Sequence, residues 1–322
     1  MKLVTFLSEG TERLGVLHDG ASVVDVAASA RRGGGSAEPA FASMQALIEG
    51  AAPALAALRA LLAEPARLVL LPLAGVRLLA PLPRPEQIRD CLCFEEHLTN
   101  VMERAKAVSG SVPPAQASMH ATFLQRPIYY KANRFAVVGP DTDVTWPAYS
   151  KLMDYELELA AVIGKRGKSL RADEAREHIF GFSIFNDLSA RDQQMLEMPG
   201  MLGPTKSKDF DGANVLGPCI VTADAFDETR AAMRVRVNGD LRSEGSSASM
   251  SLSFAELIAY ISQDETLHPG EILCSGTVGK GCGFELGKFL QHGDVVELEV
   301  DGIGVLRTRV LLPPAAASQE AR

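Results

Sequence analysis

Two hairpin signals constrain the fold of this chain more than any other feature. Residues 232–237 alternate apolar and polar side chains before Asn238-Gly239, and residues 295–300 and 305–312 flank Asp301-Gly302 with the same alternation. Asn-Gly and Asp-Gly pairs supply the positive φ angles that two-residue hairpin turns require. The later part of the chain is therefore predicted to be rich in antiparallel strands.

The first 80 residues are predicted to form a small N-terminal α+β module, separate from a main domain over residues 81–322. A proline-rich segment at residues 81–86 cannot continue a helix or a central strand, so we expect it to act as a linker. The linker follows three strand patterns, at residues 2–7, 13–18 and 21–26. A Gly/Ser/Ala-rich loop is expected over residues 31–38, and an Ala/Leu-rich helix, interrupted near Gly50 and Pro53, over residues 41–62.

Helices are few in the predicted main domain and lie at its margins. Ser253 and Glu256 form a capping-box pattern before a helix expected over residues 254–262. Another helix is expected over residues 96–107, followed by an irregular Ser/Gly/Pro/Ala stretch over residues 108–118. The sequence has no internal repeat and no glycine-rich phosphate loop. The predicted fold class is mixed α/β and β-rich.

Charge and cysteine content limit the partners and the location of the protein. Asp and Glu outnumber Lys and Arg by 40 to 32, and no basic stripe with interleaved aromatic residues occurs, so nucleic acid is not expected as a partner. The five cysteines have no CxxC spacing, and no stretch has the length and apolarity of a signal peptide or a membrane span. We therefore expect a cytoplasmic protein with reduced thiols and no membrane association.

The most informative chemical motif is DYELEL at residues 154–159. Side chains two residues apart on a strand share a face, so Glu156 and Glu158 are expected to point the same way. Two neighbouring carboxylates on an apolar strand repel each other unless a cation lies between them, and oxygen-rich sites suit magnesium, calcium or manganese. A solvated edge strand with an acidic face explains this motif equally well, and both interpretations stay open.

Two further acidic stretches are candidates for the same site. Asp187 follows the apolar strand expected over residues 179–185, where it is either a metal ligand or the N-cap of the next helical turn. Asp90 precedes His97 by seven residues, and a lone histidine is more often structural than catalytic. Neither stretch predicts a metal site by itself.

Taken together, five motifs in order resemble the fumarylacetoacetate hydrolase family over about residues 85–312. They are DYELEL (154–159), NDLSARD (186–192), KDFDG (208–212), SGTVG (275–279) and GDVVELEV (293–300). Chance agreement of all five motifs is remote, so each gains weight from the others. The resemblance implies a fumarylacetoacetate hydrolase-type β-roll that usually assembles as a homodimer.

The resemblance implies a metal ion held by Glu156, Glu158 and Asp187. Larger members of the family add a carboxylate seven residues before their catalytic histidine. Asp90 stands seven residues before His97 in this chain and is therefore the candidate for a fourth ligand.

The resemblance also implies a general base, which is His97 in this chain. In such relatives a glutamate after the Ser-Gly-Thr turn polarises the histidine, so Glu285 is its candidate partner. Smaller members use a glutamate three residues after the histidine, whereas this chain has Asn100 there. Glu285 is therefore favoured over Glu96 as the partner of His97.

Five further positions are candidates for the active site. Lys208 matches the active-site lysine of the family, and Gln194 and Thr277 match positions that contact substrate. Arg191 is either structural or a partner for a substrate carboxylate. Tyr130 is a candidate for the pocket wall.

These assignments predict a divalent-metal-dependent hydrolase that cleaves a carbon–carbon bond in a small diketo acid, such as an acylpyruvate or a fumarylacetoacetate-like compound of aromatic catabolism. Magnesium is the expected cofactor, with manganese or calcium as alternatives. His97 would take a proton from water, and Lys208 with Gln194 would stabilise the oxyanion. The same site could instead serve a 2-oxo acid decarboxylase, hydratase or isomerase, or a non-catalytic dicarboxylate-binding protein. A hydrolase needs a base, so the presence of His97 favours hydrolysis.

Overall fold

Strands dominate the computed structural model, which describes residues 1–32 and 38–313. The strands are β1 (Lys2–Ser8), β2 (Thr11–His18), β3 (Ser22–Asp25), β4 (Leu70–Pro72), β5 (Arg77–Leu78), β6 (Gln87–Cys91), β7 (Tyr129–Lys131), β8 (Val137–Val138), β9 (Thr142–Thr145), β10 (Met153–Asp154), β11 (Leu157–Ile163), β12 (Gly167–Lys168), β13 (Ile179–Asp187), β14 (Ser189–Ala190), β15 (Asn214–Thr222), β16 (Ala232–Val237), β17 (Asp240–Ser246), β18 (Thr266–Leu267), β19 (Glu271–Cys274), β20 (Val295–Val300) and β21 (Gly304–Leu311). The α-helices are α1 (Val26–Arg32), α2 (Met44–Glu49), α3 (Ala51–Leu62), α4 (Glu95–Ser109), α5 (Pro114–Phe123), α6 (Ala172–Ala175), α7 (Arg191–Glu197), α8 (Phe254–Ile261) and α9 (Gly283–Leu286). This content confirms the mixed, β-rich fold class.

A large mixed sheet runs through both parts of the chain. Its strand order is β4-β3-β2-β1-β15-β13-β11-β19-β6-β7, with β5 beside β1 and β8 beside β15. The first strand is antiparallel to β15, where Lys2 pairs with Val221. The first 80 residues therefore share a sheet with the main body, and their folding as an independent module stays a prediction. The loop expected over residues 31–38 lies mostly outside the described residues.

A second sheet of five strands contains both of the hairpins that the sequence predicts. Its order is β17-β16-β20-β21-β9. The turn between β16 and β17 contains Asn238 and Gly239, whose φ angles are 55° and 84°. The apolar side chains of this five-stranded sheet, such as Val235 and Leu298, are fully buried in one core with Phe182 of β13. The two sheets thus pack on a common core. The acidic residues described below lie along strands of the large sheet.

The helices expected over residues 96–107 and 254–262 are confirmed as α4 and α8, whereas α7 and α9 have no counterpart in the sequence patterns. The capping box is confirmed, because Ser253 Oγ accepts a hydrogen bond from Glu256 N at 3.2 Å and the Glu256 carboxylate accepts one from Ser253 N at 2.7 Å. The stretch expected to be irregular contains α5, so that expectation is wrong. Pro114 lies in the first turn of this helix, where a missing N–H costs nothing. Among the described residues, no helix is long and apolar enough to span a membrane.

Candidate metal centre and active site

Four carboxylates from three segments of the chain, along nearby strands of the large sheet, meet at one point. Asp90 lies in β6, Glu158 in β11 and Asp187 at the end of β13. Glu156 directly precedes β11 and forms an isolated bridge with Cys282. One oxygen from each of the four carboxylates lies within 4.8 Å of the chosen oxygens of the others. The structure thus brings together all four side chains that the sequence offers as metal ligands.

Burial of these side chains rules out the simpler interpretations of the motifs. The exposed fraction is 5% for Asp90, 4% for Glu156, and 0% for Glu158 and Asp187, so the motif does not form a solvated acidic face. Asp187 does not cap a helix either, because it continues β13 and pairs with Asn214 of β15. The four residues, which we call the acidic cluster, therefore require another explanation.

Three oxygens of the acidic cluster accept no hydrogen bond from any residue that the structure describes. They are Asp90 Oδ1, Glu158 Oε1 and Asp187 Oδ1. A buried acceptor without a donor costs about 1–3 kcal/mol, so three together indicate that another group binds there. Carboxylate oxygens are the ligands that hard divalent cations such as Mg²⁺, Mn²⁺ and Ca²⁺ prefer. The donor set fits such an ion.

The charges in the cluster are unequally compensated. Burial raises the pKa of Glu158 well above its ordinary value, and the like charges of Asp90 and Asp187 add to the rise. Burial also raises the pKa of Asp90 and Asp187, although Lys208 opposes the rise in both. Glu156 behaves in the opposite way, because Arg191 and Lys208 outweigh its burial and lower its pKa. These shifts favour protonation of part of the cluster when no cation is bound, and a divalent ion would compete with those protons.

Lys208 lies inside this site and is not a surface charge. Its ammonium donates to Glu156 Oε2 at 2.6 Å and also to Asp187 Oδ2. The Tyr130 hydroxyl donates to the same Asp187 oxygen at 2.7 Å. Burial would lower the pKa of Lys208, but the charges of Asp187 and Glu156 outweigh it and raise the pKa. Lys208 therefore stays charged. It helps to keep Glu156 ionised, but it only partly offsets the effect of burial on Asp187.

His97 forms a second polar group beside the acidic cluster. It lies in α4, and its Nδ1 is 2.8 Å from Glu285 Oε1 at the other end of the sequence. Glu285 also accepts hydrogen bonds from Asn100 Nδ2 at 2.7 Å and from Lys280 N at 2.8 Å. Glu96 is exposed, so the structure pairs His97 with Glu285, as the resemblance favours. Asn100, at the position where smaller relatives carry a glutamate, holds that carboxylate in place.

Glu285 changes the proton affinity of His97. Burial disfavours the charged imidazole, but the charge of Glu285 and its hydrogen bond outweigh burial and raise the pKa of His97. The negative charge of Glu156 raises it further. Ligand atoms of His97, Glu285 and Cys282 lie within 4.8 Å of one another. Cys282 also forms a bridge with Glu156, so the His97–Glu285 pair lies next to the acidic cluster. Burial alone would raise the pKa of Glu285, but the charge of His97 and the hydrogen bonds that Glu285 accepts outweigh burial and lower this pKa. The arrangement leaves His97 able to change its protonation state while Glu285 compensates the charge.

The other candidate residues lie around the same site, in different environments. Arg191 donates from Nη2 to Glu156 Oε1 at 2.6 Å and from Nη1 to Gln194 Oε1 at 2.8 Å. Both groups belong to the protein, which favours the structural role for Arg191. Gln194 lies on α7. Thr277 lies in the turn after β19 and is 2% exposed. Their contacts with substrate stay predictions.

Two polar residues of this site are given no role by the sequence patterns. Asn100 supports Glu285, as described above. Asp154 is fully buried and accepts a hydrogen bond from Arg191 Nε at 2.8 Å. Its position two residues before Glu156 continues the alternation of DYELEL, which is the signal that could have identified it.

Comparisons with known proteins identify the same family as the sequence motifs. The model of the family "Fumarylacetoacetate (FAA) hydrolase C-terminal" matches residues 87–311. The chain is 34% identical over 271 residues to "Oxaloacetate tautomerase FAHD2A, mitochondrial" of Homo sapiens, and this alignment covers 83% of the chain and 79% of the relative. The fumarylacetoacetate hydrolase of psychrophilic Exiguobacterium antarcticum superposes with a TM-score of 0.75 at 28% identity, over 97% of the chain and 100% of that structure. A maleylpyruvate hydrolase from Sphingobium sp. SYK-6, solved with manganese(II) and pyruvate, superposes with a TM-score of 0.73 at 26% identity, over 98% of the chain and 100% of that structure.

Proposed function

This chain belongs to the fumarylacetoacetate hydrolase family, and we propose that it is a divalent-metal-dependent enzyme that interconverts the keto and enol forms of a small 2-oxo acid. The observation that carries the proposal is the His97–Glu285 pair beside four buried carboxylates with unpartnered oxygens. The likeness to a human protein named as an oxaloacetate tautomerase, over most of both chains, supports this reaction over the others that such a site allows.

Asp90, Glu156, Glu158 and Asp187 would hold the cation, for which Mg²⁺ or Mn²⁺ is our first choice. A divalent ion bound there would act as a Lewis acid on the carbonyl of the 2-oxo acid and make its neighbouring C–H more acidic. Lys208 would keep Glu156 charged and would oppose the protonation of Asp187, and it donates hydrogen bonds to both carboxylates.

His97 would move the proton. Its neutral imidazole takes a proton from the carbon next to the carbonyl, and the C–H electron pair becomes the double bond of the enolate. The imidazolium, stabilised by Glu285, then returns this proton to the enolate oxygen, and the reverse order converts enol to keto form. A positioned acid–base group of this kind contributes about 10²- to 10⁴-fold in rate.

Hydrolysis of a carbon–carbon bond in a diketo acid is the second candidate. The likeness to a maleylpyruvate hydrolase solved with manganese(II) and pyruvate favours it, and so does a histidine that is able to take a proton from water. In that reaction the water oxygen bonds to the acyl carbon, the carbon–carbon bond breaks, and His97 gives its proton to the leaving carbon. Only hydrolysis releases a second acid.

The two reactions can be separated by their products. The protein is incubated with Mg²⁺ or Mn²⁺ and with oxaloacetate or an acylpyruvate, while the enol absorbance, acid release and carbon dioxide are followed. We expect faster loss of the enol absorbance of oxaloacetate, with no more acid or carbon dioxide than the metal ion alone releases. Release of a second acid from the acylpyruvate would establish hydrolysis instead, and carbon dioxide would establish decarboxylation. Metal binding without turnover of either compound would support a dicarboxylate-binding protein.

The role of His97 is tested by His97→Gln. We expect the turnover to fall by about 10²- to 10⁴-fold while the metal affinity stays the same, because the imidazole is not one of the four ligands. His120→Gln on α5 is the matched control, since His120 is a partly buried histidine near another glutamate, Glu95. Equal turnover of the two variants would remove His97 from the mechanism.

Two expectations about the whole protein stay predictions. The homodimer is implied by the family resemblance, and sedimentation would test it. The cytoplasmic location is expected from the sequence, whereas the name of the human relative places that protein in mitochondria.

A further inference from the structure

We propose that Asp154 is a positioning residue that fixes the metal centre and the His97–Glu285 pair relative to each other. The proposal rests on the proposed function, because it assumes that both groups act on one substrate. Asp154 is fully buried at the end of β10, two residues before Glu156. Among the described residues, its side chain accepts hydrogen bonds from none of the expected metal ligands, so it acts through the residues that hold them. The donors to its carboxylate are Tyr155, Arg191, Gly283 and Phe284.

The first connection runs from Asp154 to the acidic cluster. Its Oδ2 accepts a hydrogen bond from Arg191 Nε at 2.8 Å. Through Nη2, the same guanidinium donates to Glu156 Oε1 at 2.6 Å, and through Nη1 to Gln194 Oε1 at 2.8 Å. A planar guanidinium held on one side by Asp154 has a fixed orientation toward the other two groups. Asp154 therefore determines where Glu156 presents its carboxylate.

The second connection runs from Asp154 to the base. The backbone N–H of Gly283 donates to Asp154 Oδ1 at 2.7 Å, and that of Phe284 donates to Oδ2 at 2.9 Å. These are the first two residues of the short helix α9, and the next residue is Glu285, the partner of His97. A Cβ atom at position 283 would collide with Asp154 Oδ1 and with the carbonyl oxygen of Lys288, so the close approach requires glycine.

The hydrogen bonds of Asp154 leave it no capacity for another ligand. Oδ1 accepts from Gly283 N and from the N–H of Tyr155 at 2.9 Å, and Oδ2 accepts from Phe284 N and Arg191 Nε. Each carboxylate oxygen accepts about two hydrogen bonds, so all positions are filled. In this respect Asp154 differs from Asp90, Glu158 and Asp187, each of which has an oxygen without a partner among the described residues. It is built to hold protein groups and not a metal ion.

The substitution Asp154→Asn tests this inference. Its amide nitrogen must face two of the four donors, so either Arg191 or the start of α9 loses its anchor. We expect the affinity of the purified full-length protein for Mn²⁺, measured by calorimetry, to fall about 10-fold, as for other residues that orient metal ligands. We also expect the pKa of His97, measured by proton NMR in the metal-free protein, to fall by about half a unit as Glu285 moves away.

Asp25→Asn provides a matched control for the general cost of the substitution. Asp25 is 1% exposed, accepts from Arg13 Nη1 at 2.6 Å and from Ala28 N at 2.9 Å, and lies in the first 80 residues. We expect this variant to lose stability in urea but to keep the Mn²⁺ affinity and the His97 titration of the unmodified protein. If Asp154→Asn does not yield folded protein, Asp154→Ser carries the same expectations.

The outcomes separate this inference from the proposed function. A folded Asp154 variant that keeps both the Mn²⁺ affinity and the His97 pKa would overturn the positioning role, whatever its stability. A shift in both readouts supports that role. If the unmodified protein turns over no 2-oxo acid while both readouts still shift, the proposed function fails and the positioning role of Asp154 stands.

Discussion

Two neighbouring residues of β6 lie in contrasting electrostatic environments. Arg89 and Asp90 are adjacent on a strand, so their side chains point to opposite faces of the sheet. The guanidinium of Arg89 donates to the carboxylates of Glu271 and Glu265. Asp90 lies in the acidic cluster, where carboxylates outnumber the two cations Lys208 and Arg191, and Arg191 is shared with Asp154.

The contrast distinguishes a structural ion pair from a binding site. Glu271 completes its hydrogen bonds with His268 N at 2.9 Å, so on the Arg89 face the buried acid has partners for its oxygens. On the Asp90 face, three oxygens have no partner in the described part of the chain. Uncompensated buried charge is costly for folding, and proteins retain it where an ion or a substrate supplies the missing charge.

The largest effect is expected from Glu158→Gln. This substitution removes one expected ligand and keeps the shape of the side chain. We expect the affinity for Mn²⁺ to fall by at least about 100-fold, which is about 2.7 kcal/mol, and turnover to fall with it. The metal-free protein at neutral pH should become more stable, because a fully buried carboxylate beside Asp90 and Asp187 is replaced by a neutral amide.

Calorimetry with Mn²⁺ and urea unfolding of the metal-free protein provide the two measurements. Unchanged stoichiometric metal binding by Glu158→Gln would exclude this residue as a ligand. Loss of stability together with loss of binding would indicate that Glu158 is a structural residue like Glu271.

The second-largest effect is expected on protein stability, from a substitution on the Arg89 face of β6. Glu271→Gln leaves the charge of Arg89 facing only Glu265, which is 39% exposed. We expect the free energy of unfolding to fall by about 2 kcal/mol, because breaking a buried ion pair leaves a charge incompletely compensated. The Mn²⁺ affinity should stay within about twofold of the unmodified value, since additive effects are normal for sites without shared partners. A loss of metal affinity as large as that of Glu158→Gln would show that the two faces are coupled.

Much of the fold and part of the site follow from the sequence. Hairpins and the capping box are predicted because both depend on residues close together in the chain. The pairing of β1 with β15 is not predicted, because it joins distant segments and no local pattern reports it. Helix α5 is missed because Pro113 and Pro114 indicate a break, whereas a proline in the first turn of a helix is tolerated.

Convergence of side chains is harder to predict than their identity. The acidic cluster is named in advance only through the family motifs, since its members come from strands that are not adjacent in sequence. The choice of Glu285 over Glu96 likewise comes from the family resemblance, because no local pattern places α9 beside α4. Asp154 is missed because a carboxylate that binds backbone N–H groups looks the same in sequence as one that binds a metal.

The smallest predicted effect is a pH dependence of the free energy of unfolding. It distinguishes the Asp90 face of β6 from the Arg89 face in the metal-free protein. Because the pKa of Glu158 is raised above its ordinary value of 4.5, the folded state binds its proton more tightly than the unfolded state does. The stability that this proton contributes is complete below pH 4.5 and is lost as the pH rises through the raised pKa. Unfolding of the metal-free protein in urea, repeated between about pH 5 and 8, should therefore show stability falling by at most about 1.4 kcal/mol per pH unit for each such group.

Comparison of variants assigns this slope to the acidic cluster. Glu158→Gln should have a shallower decline than the unmodified protein, whereas Glu271→Gln, which leaves the cluster intact, should keep the full decline. Saturating Mn²⁺ should reverse the trend in the unmodified protein, because the cation competes with protons for the same oxygens and binds more tightly as the pH rises. Equal slopes for the Glu158 variant and the unmodified protein would mean that Glu158 carries no extra proton, and its burial would then be compensated by protein groups, as that of Glu271 is.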